Sequence, residues 1–167
     1  DFGVPRICFV NKLDRRGADF DRVCHMIEQR LDANPLPLQI PIGAEDAFVG
    51  VVDLVGNRAL VWDEDADPKG LDPESVAIPG ELAEMSAKAR QQLIERCVDQ
   101  DEAAFERYLA GDTPSETELW ACLRKGTLSG AFVPVLCGTA FKNKGVQPLL
   151  DAIVQLLPSP DERALPE

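Results

Sequence analysis

Histidine, basic charge, paired cysteine motifs and long apolar runs are all scarce in this 167-residue chain, and each scarcity removes a class of function. The single histidine, His25, has no plausible metal partner beside it, which argues against a zinc site. The five cysteines (Cys8, Cys24, Cys97, Cys122 and Cys137) form no CxxC pair, and each sits in a run that reads as strand or helix interior, so reduced core thiols are expected. With 17 Lys+Arg against 29 Asp+Glu the formal charge is -12, and such a chain repels phosphate backbones and anionic lipid. Direct RNA binding and membrane association are therefore not expected. Every apolar run falls well short of the ~20 residues that span a bilayer. The opening Asp1-Phe2-Gly3-Val4-Pro5 has neither the basic nor the long apolar region of an export signal, so a soluble, cytoplasmic chain is the expectation. What is present, 45% hydrophobic residues, suffices to bury the core of one domain with a small second lobe.

Val4 to Val10 reads as a buried strand ending at Asn11. From Phe20 the apolar residues switch to helical spacing (Phe20, Val23, Cys24, Ile27, Leu31) behind Asp19 as a cap, and Pro35 ends that helix. Gln39–Ile42, Phe48–Leu54 and Arg58–Trp62 then read as a small antiparallel sheet, with Gly56-Asn57 as a two-residue hairpin turn. The stretch Asp63 to Pro68 is expected to be a solvated acidic loop, since it lacks the glycine and distal glutamate of an EF-hand calcium loop. Three helices follow: one from near Pro79 with Leu82, Met85, Ala89, Leu93 and Cys97 on its apolar face, one from Asp101 to Leu109, and one opened by Thr113-Pro114-Ser115-Glu116 as a capping box. Phe132–Cys137 returns to strand, and Val146 to Leu157 to amphipathic helix. Two strand-loop-helix units thus flank an insertion of roughly a hundred residues, compatible with a parallel α/β sheet whose ligands sit beyond the carboxyl ends of the strands.

Both strand-end loops carry polar groups suited to a purine. Asn11-Lys12-Leu13-Asp14 is an NKxD tetrapeptide, which a chain of this length would contain by chance in about 2% of cases. A carboxylate at Asp14 offers two acceptors to the adjacent ring N–H and amino group that guanine has and adenine lacks. Lys12 can lay its aliphatic stem on the ring face, and Asn11 can tie the loop to backbone or base. In Gly138-Thr139-Ala140-Phe141-Lys142, the Thr139 hydroxyl can brace the Asp14 loop and the Ala140 N–H can approach a carbonyl oxygen of the base, so both groups are expected to face one small cavity. Phe141 and Lys142 either cover the other side of the ring, or Phe141 packs into the core and Lys142 caps a solvated turn. A surface turn with no ligand, or a flavodoxin-like enzyme with a coincidental NKxD, would be the alternatives.

Val4-Pro5-Arg6 through Asn11 to Ala18, Pro41-Ile42-Gly43-Ala44-Glu45 with Gly50-Val51-Val52-Asp53-Leu54, and Cys137 to Gln147 with Leu156-Leu157-Pro158-Ser159-Pro160 closely resemble the elongation factor G family of translational GTPases. Thr139 stands where that family usually has serine. The resemblance implies an α/β fold, part of a P-loop-type GTPase parallel sheet with an inserted α+β subdomain. The guanine-recognition part would comprise 1–35 and 130–160, the insertion 36–129, and a linker 161–167. It implies guanine binding by Asn11, Lys12, Asp14, Thr139, Ala140 and Phe141, with GTP/GDP as the nucleotide. Mg2+ would serve the full-length protein but find no ligand here, because no GxxxxGK[ST] phosphate loop, switch threonine or DxxGH segment occurs. Such a protein would promote movement of tRNA and mRNA on the ribosome, while this part alone would not hydrolyse GTP. The insertion, with Lys88, Arg90 and Arg96 on its first helix, would be a docking face for the ribosomal stalk protein, or simply a mixed solvated surface. A non-catalytic stalk-binding module, or a ribosome-recycling or ribosomal-protection paralogue, is the alternative.

Overall fold

The computed structural model describes residues 4–63, 65, 67 and 69–162. The first three residues, Glu64, Ala66 and Pro68 of the acidic stretch, and 163–167 of the expected linker lie outside the described residues. The element order is β1 (Cys8–Val10), α1 (Phe20–Leu31), β2 (Pro35–Pro37), β3 (Gln39–Ile42), β4 (Gly50–Asp53), β5 (Arg58–Val61), β6 (Glu74–Val76), α2 (Ala83–Val98), α3 (Glu102–Leu109), α4 (Glu116–Ser129), β7 (Val133–Cys137) and α5 (Val146–Leu156).

A parallel sheet of order β1-β7-β2 joins an antiparallel sheet of order β3-β4-β5-β6. β7 is buried at every position, as the central strand of a sheet covered on both faces should be. Its proline is tolerated for a directional reason. Val133 N donates to Asn34 O and Val135 O accepts from Leu38 N, both on the β2 side. The missing N–H of Pro134 thus points toward β1, whose pairing starts only at Cys8 opposite Val135. The same alternation turns the missing donors of Pro35 and Pro37 to the open edge of β2, while Leu36 faces β7. β2 was not expected from the sequence, and it straddles the division drawn at 35/36. Leu38 then passes the chain from one sheet to the other, donating to Val135 O and accepting from Leu54 N.

Alternation divides the core. Leu36, Leu136, Val52 and Leu54 pack with Leu93, Cys97, Leu119, Leu123 and Leu156 of α2, α4 and α5. Val135, Cys137 and Val51 face the other way, onto Phe20 and Ile27 of α1 with Phe48 and Trp62. All five cysteines are free thiols, and burial raises those of Cys24 and Cys97 to about 12, which keeps them protonated and inert.

Several local expectations shift. The β4–β5 connection is the four-residue turn Leu54–Asn57 rather than a two-residue one, because Leu54 and Val55 are buried and the Asp53 carboxylate accepts from Val55 N and Gly56 N. The α4 capping box sits two residues later than expected: Ser115 Oγ accepts from Glu118 N, and Glu118 reaches back to Ser115 N at 2.9 Å. Met85 is exposed, and Ser86 occupies the buried face of α2 instead. Arg90 donates to the carbonyls of Leu54 and Val55, and Arg96 to Pro35 O at 2.7 Å, so these two cations anchor α2 to the sheets. Only Lys88 of the three cations expected on a docking face stands exposed without such an anchor. Among the described residues no helix is long and apolar enough to cross a membrane.

Candidate functional site

The parallel pairing of β1 with β7 places Val10 beside Cys137, so the loops after these strands emerge together at the carboxyl end of the sheet. Backbone bonds stitch them at once: Gly138 N donates to Val10 O at 3.0 Å and Leu13 N to Gly138 O at 3.2 Å. A side chain at 138 would collide with Lys144 O, 2.2 Å from where its Cβ would lie, so only glycine lets the second loop fold back this tightly.

Side chains then cross between the loops. The buried Thr139 hydroxyl donates to Asp14 Oδ1 at 2.8 Å, linking residues 125 apart in sequence. Asn11 Oδ1 accepts from Lys12 N at 2.8 Å and from Ala140 N at 3.0 Å, with Lys12 held in a left-handed conformation, φ 64°. Asn11, Lys12 and Ala140 are exposed, and Leu13 is the buried foot of the loop. Phe141 is 94% exposed, which overturns the core-packing alternative for that residue and leaves an aromatic face open beside the loop junction. All six residues expected at the site therefore cluster. The Ala140 amide, however, is engaged by Asn11.

Toward the antiparallel sheet lies a cleft of about 470 Å³ whose walls include Asp14, Arg15, Glu45, Trp62, Lys142 and Lys144. Asp14 lines this cleft, and Ala140 is joined to the same loop through Asn11 Oδ1. Two residues that sequence reasoning left without a role stand here. Lys144 is 4% exposed despite its charge. Glu45 accepts from Gly17 N at 2.7 Å and donates its own N–H to Leu13 O at 2.9 Å. The only trace in sequence was the glycine two positions before it. Among the described residues no group of three or more His, Cys, Asp or Glu could hold a metal ion.

Comparison with known proteins gives a consistent family. Residues 1–159 match the family described as the elongation factor Tu GTP binding domain. Elongation factor G of Orientia tsutsugamushi, from strain Ikeda and from strain Boryong, is 51% identical over 161 residues, covering 96% of this chain and 22% of each relative. A crystal structure from Thermus thermophilus matches with a TM-score of 0.80 at 29% identity, over 96% of this chain and 23% of that one. The chain thus spans less than a quarter of the length of these relatives.

Proposed function

Since the chain belongs to the elongation factor Tu GTP-binding domain family, we propose that it is the guanine-reading part of a ribosome-dependent translational GTPase of the elongation factor G type, acting in the cytoplasm. The observation that carries this reading is the pair of bonds joining the two strand-end loops, Thr139 to Asp14 and Ala140 to Asn11. They hold a carboxylate, a backbone donor and a primary amide within one small area.

In this reading Asp14 accepts from the ring N–H and the exocyclic amine of guanine, while Thr139 fixes the carboxylate through Oδ1. The Ala140 N–H passes from Asn11 Oδ1 to the carbonyl oxygen of the base, and the Asn11 amide nitrogen is a donor for an acceptor on the ring. The Lys12 stem covers one face of the purine and the exposed Phe141 ring the other. A wrong base would leave the Asp14 carboxylate opposed by an acceptor or by nothing, which penalises it heavily. The guanine-recognition part would comprise 1–35 and 130–160, with 36–129 as insertion. These residues fit the base end of GTP or GDP only. Mg2+ and the phosphates would be held by phosphate-loop and switch residues of the kind absent from these 167 residues, so hydrolysis is assigned to the longer protein and not to this chain.

Fluorescent GDP titrated against the intact protein and its Asp14→Ala variant tests the reading. We expect a loss of affinity of about 100-fold or more; unchanged affinity would contradict it. We further propose the inserted lobe as the docking face for the ribosomal stalk protein, supported by the exposed apolar side chains of Phe105 and Leu109 on α3. Leu109→Asp should then weaken stalk-protein binding while sparing GDP binding. Equal stalk affinity for both proteins counts against that face.

A further inference from the structure

The Pro41–Glu45 segment leads from β3 into a turn that few residue types could make. Gly43 has φ +77°, and a Cβ there would lie 1.9 Å from Ala47 O, so the chain reverses tightly over this point. Two residues on, Glu45 itself is left-handed at φ 54°, a conformation that costs a non-glycine residue free energy unless its surroundings fix it. What fixes it is the NKxD loop. Glu45 donates its N–H to Leu13 O at 2.9 Å and accepts from Gly17 N through Oε1 at 2.7 Å, so one residue grips the loop on both sides of Asp14 and Arg15. Gly17 is exposed and in its own left-handed conformation, which gives this end of the loop little packing of its own.

The inserted lobe holds the second loop as well. Asn143 Nδ2 donates to Lys69 O at 2.8 Å, and Gly70 lies so close that a Cβ there would be 2.7 Å from Lys142 O. Trp62, buried at 3% exposure, secures that contact by donating its ring N–H to Gly70 O at 3.2 Å. Both base-reading loops are therefore tethered to the insertion, and Glu45 is the tether on the Asp14 side.

We infer that Glu45 is a positioning residue for guanine: its carboxylate, through Gly17, and its backbone, through Leu13, set the place of the Asp14 carboxylate. This rests on the base-reading role given to Asp14. It makes the insertion a part of the nucleotide site's geometry and not only a surface added to it.

The test uses the intact protein, fluorescent GDP and four variants. Glu45→Gly removes the carboxylate while suiting the left-handed backbone, so the turn should persist. Glu45→Gln keeps an acceptor for Gly17 N. We expect Glu45→Gly to raise the GDP dissociation constant about tenfold and to shift the Gly17 amide proton resonance upfield, while Glu45→Gln stays within about twofold of the parent. In the background of Asp14→Ala, adding Glu45→Gly should cost little more, because the group being positioned is gone. A general loss of fold would lower the melting temperature and would persist in that background. Glu45→Gly binding GDP like the parent, while Asp14→Ala is crippled, would overturn the positioning role and leave the base reading intact. Equal losses in Glu45→Gly and Glu45→Gln would overturn it too. Were Asp14→Ala itself to bind normally, the base reading would fall first and the role of Glu45 with it.

Discussion

Asp19 and Asp101 accept amide protons from residues three positions ahead, Arg22 and Ala104, and so close the first turns of α1 and α3, whereas Asp14 accepts from a hydroxyl 125 residues away. The same side chain thus has two uses. In the helical lobe, acidic and hydroxyl groups satisfy the nearest free backbone donors: Ser115 and Glu118 bridge each other's backbone, and Asp53 holds the turn that follows β4. At the strand-end loops, polar groups bridge segments that are neighbours only in space. A local cap needs no tertiary fold to be legible. A contact across 125 residues exists only once β1 and β7 are paired.

The tethers between insertion and loops run through Glu45 and Lys69 rather than through α2, α3 or α4, so damage to the helical core should leave nucleotide binding intact. The largest expected effect is in the lobe's core. Leu123 is fully buried between α4, α2 and the sheet, so Leu123→Ala should cost about 2–5 kcal/mol and lower the melting temperature by roughly 5–15 °C. GDP affinity measured well below the new transition should change less than about twofold; a larger change would mean that core and site are not separable. Ser115→Ala removes the cap hydroxyl and should cost about 1 kcal/mol, read by urea unfolding, with no effect on nucleotide.

The smallest effect concerns pH. The Lys125 ammonium and then the Ala104 amide hold the Asp101 carboxyl below its ordinary value, and the Ser115 amide and hydroxyl do the same for Glu118. Their contributions are complete above the unfolded values of 3.8 and 4.5 and are lost as pH falls through the lowered native ones. Asp53 has the opposite sign: burial raises its carboxyl, against the Gly56 amide and Arg58, so the folded state gains from its protonation as pH falls toward 3.8. Melting temperatures between about pH 7 and pH 3 should fall on acidification, and more steeply in Asp53→Asn, which lacks the compensating gain. Parallel curves would show that burial of Asp53 contributes nothing.

Periodicity made α1, α4, β7 and the antiparallel strands β3, β4 and β5 legible, while the short, largely exposed β6 went unread. β2 was hidden because Pro35-Leu36-Pro37 reads as loop, and only its edge position, with both missing N–H groups turned outward, makes it a strand. Met85 was assigned to the buried face of α2 because periodicity ignores that Ser86 is the residue turned inward. At the candidate site, the polar loop residues Asn11, Lys12, Asp14 and Thr139 were legible from their side-chain chemistry, and the structure brings their loops together. Glu45 was not legible, because its importance comes from a left-handed backbone and a contact with Gly17, 28 residues away, and the glycine two positions before it marks only the turn.

The most direct measurement is base preference after Asp14→Asn in the intact protein. Asparagine presents an acceptor to a ring N–H and a donor to an adjacent carbonyl, the pattern xanthine offers where guanine has its amine. The variant should lose GDP affinity and gain XDP affinity until the preference inverts, with the fold unchanged. GDP binding that persists at the parent strength, with XDP no better than before, would contradict the claim that this carboxylate reads guanine.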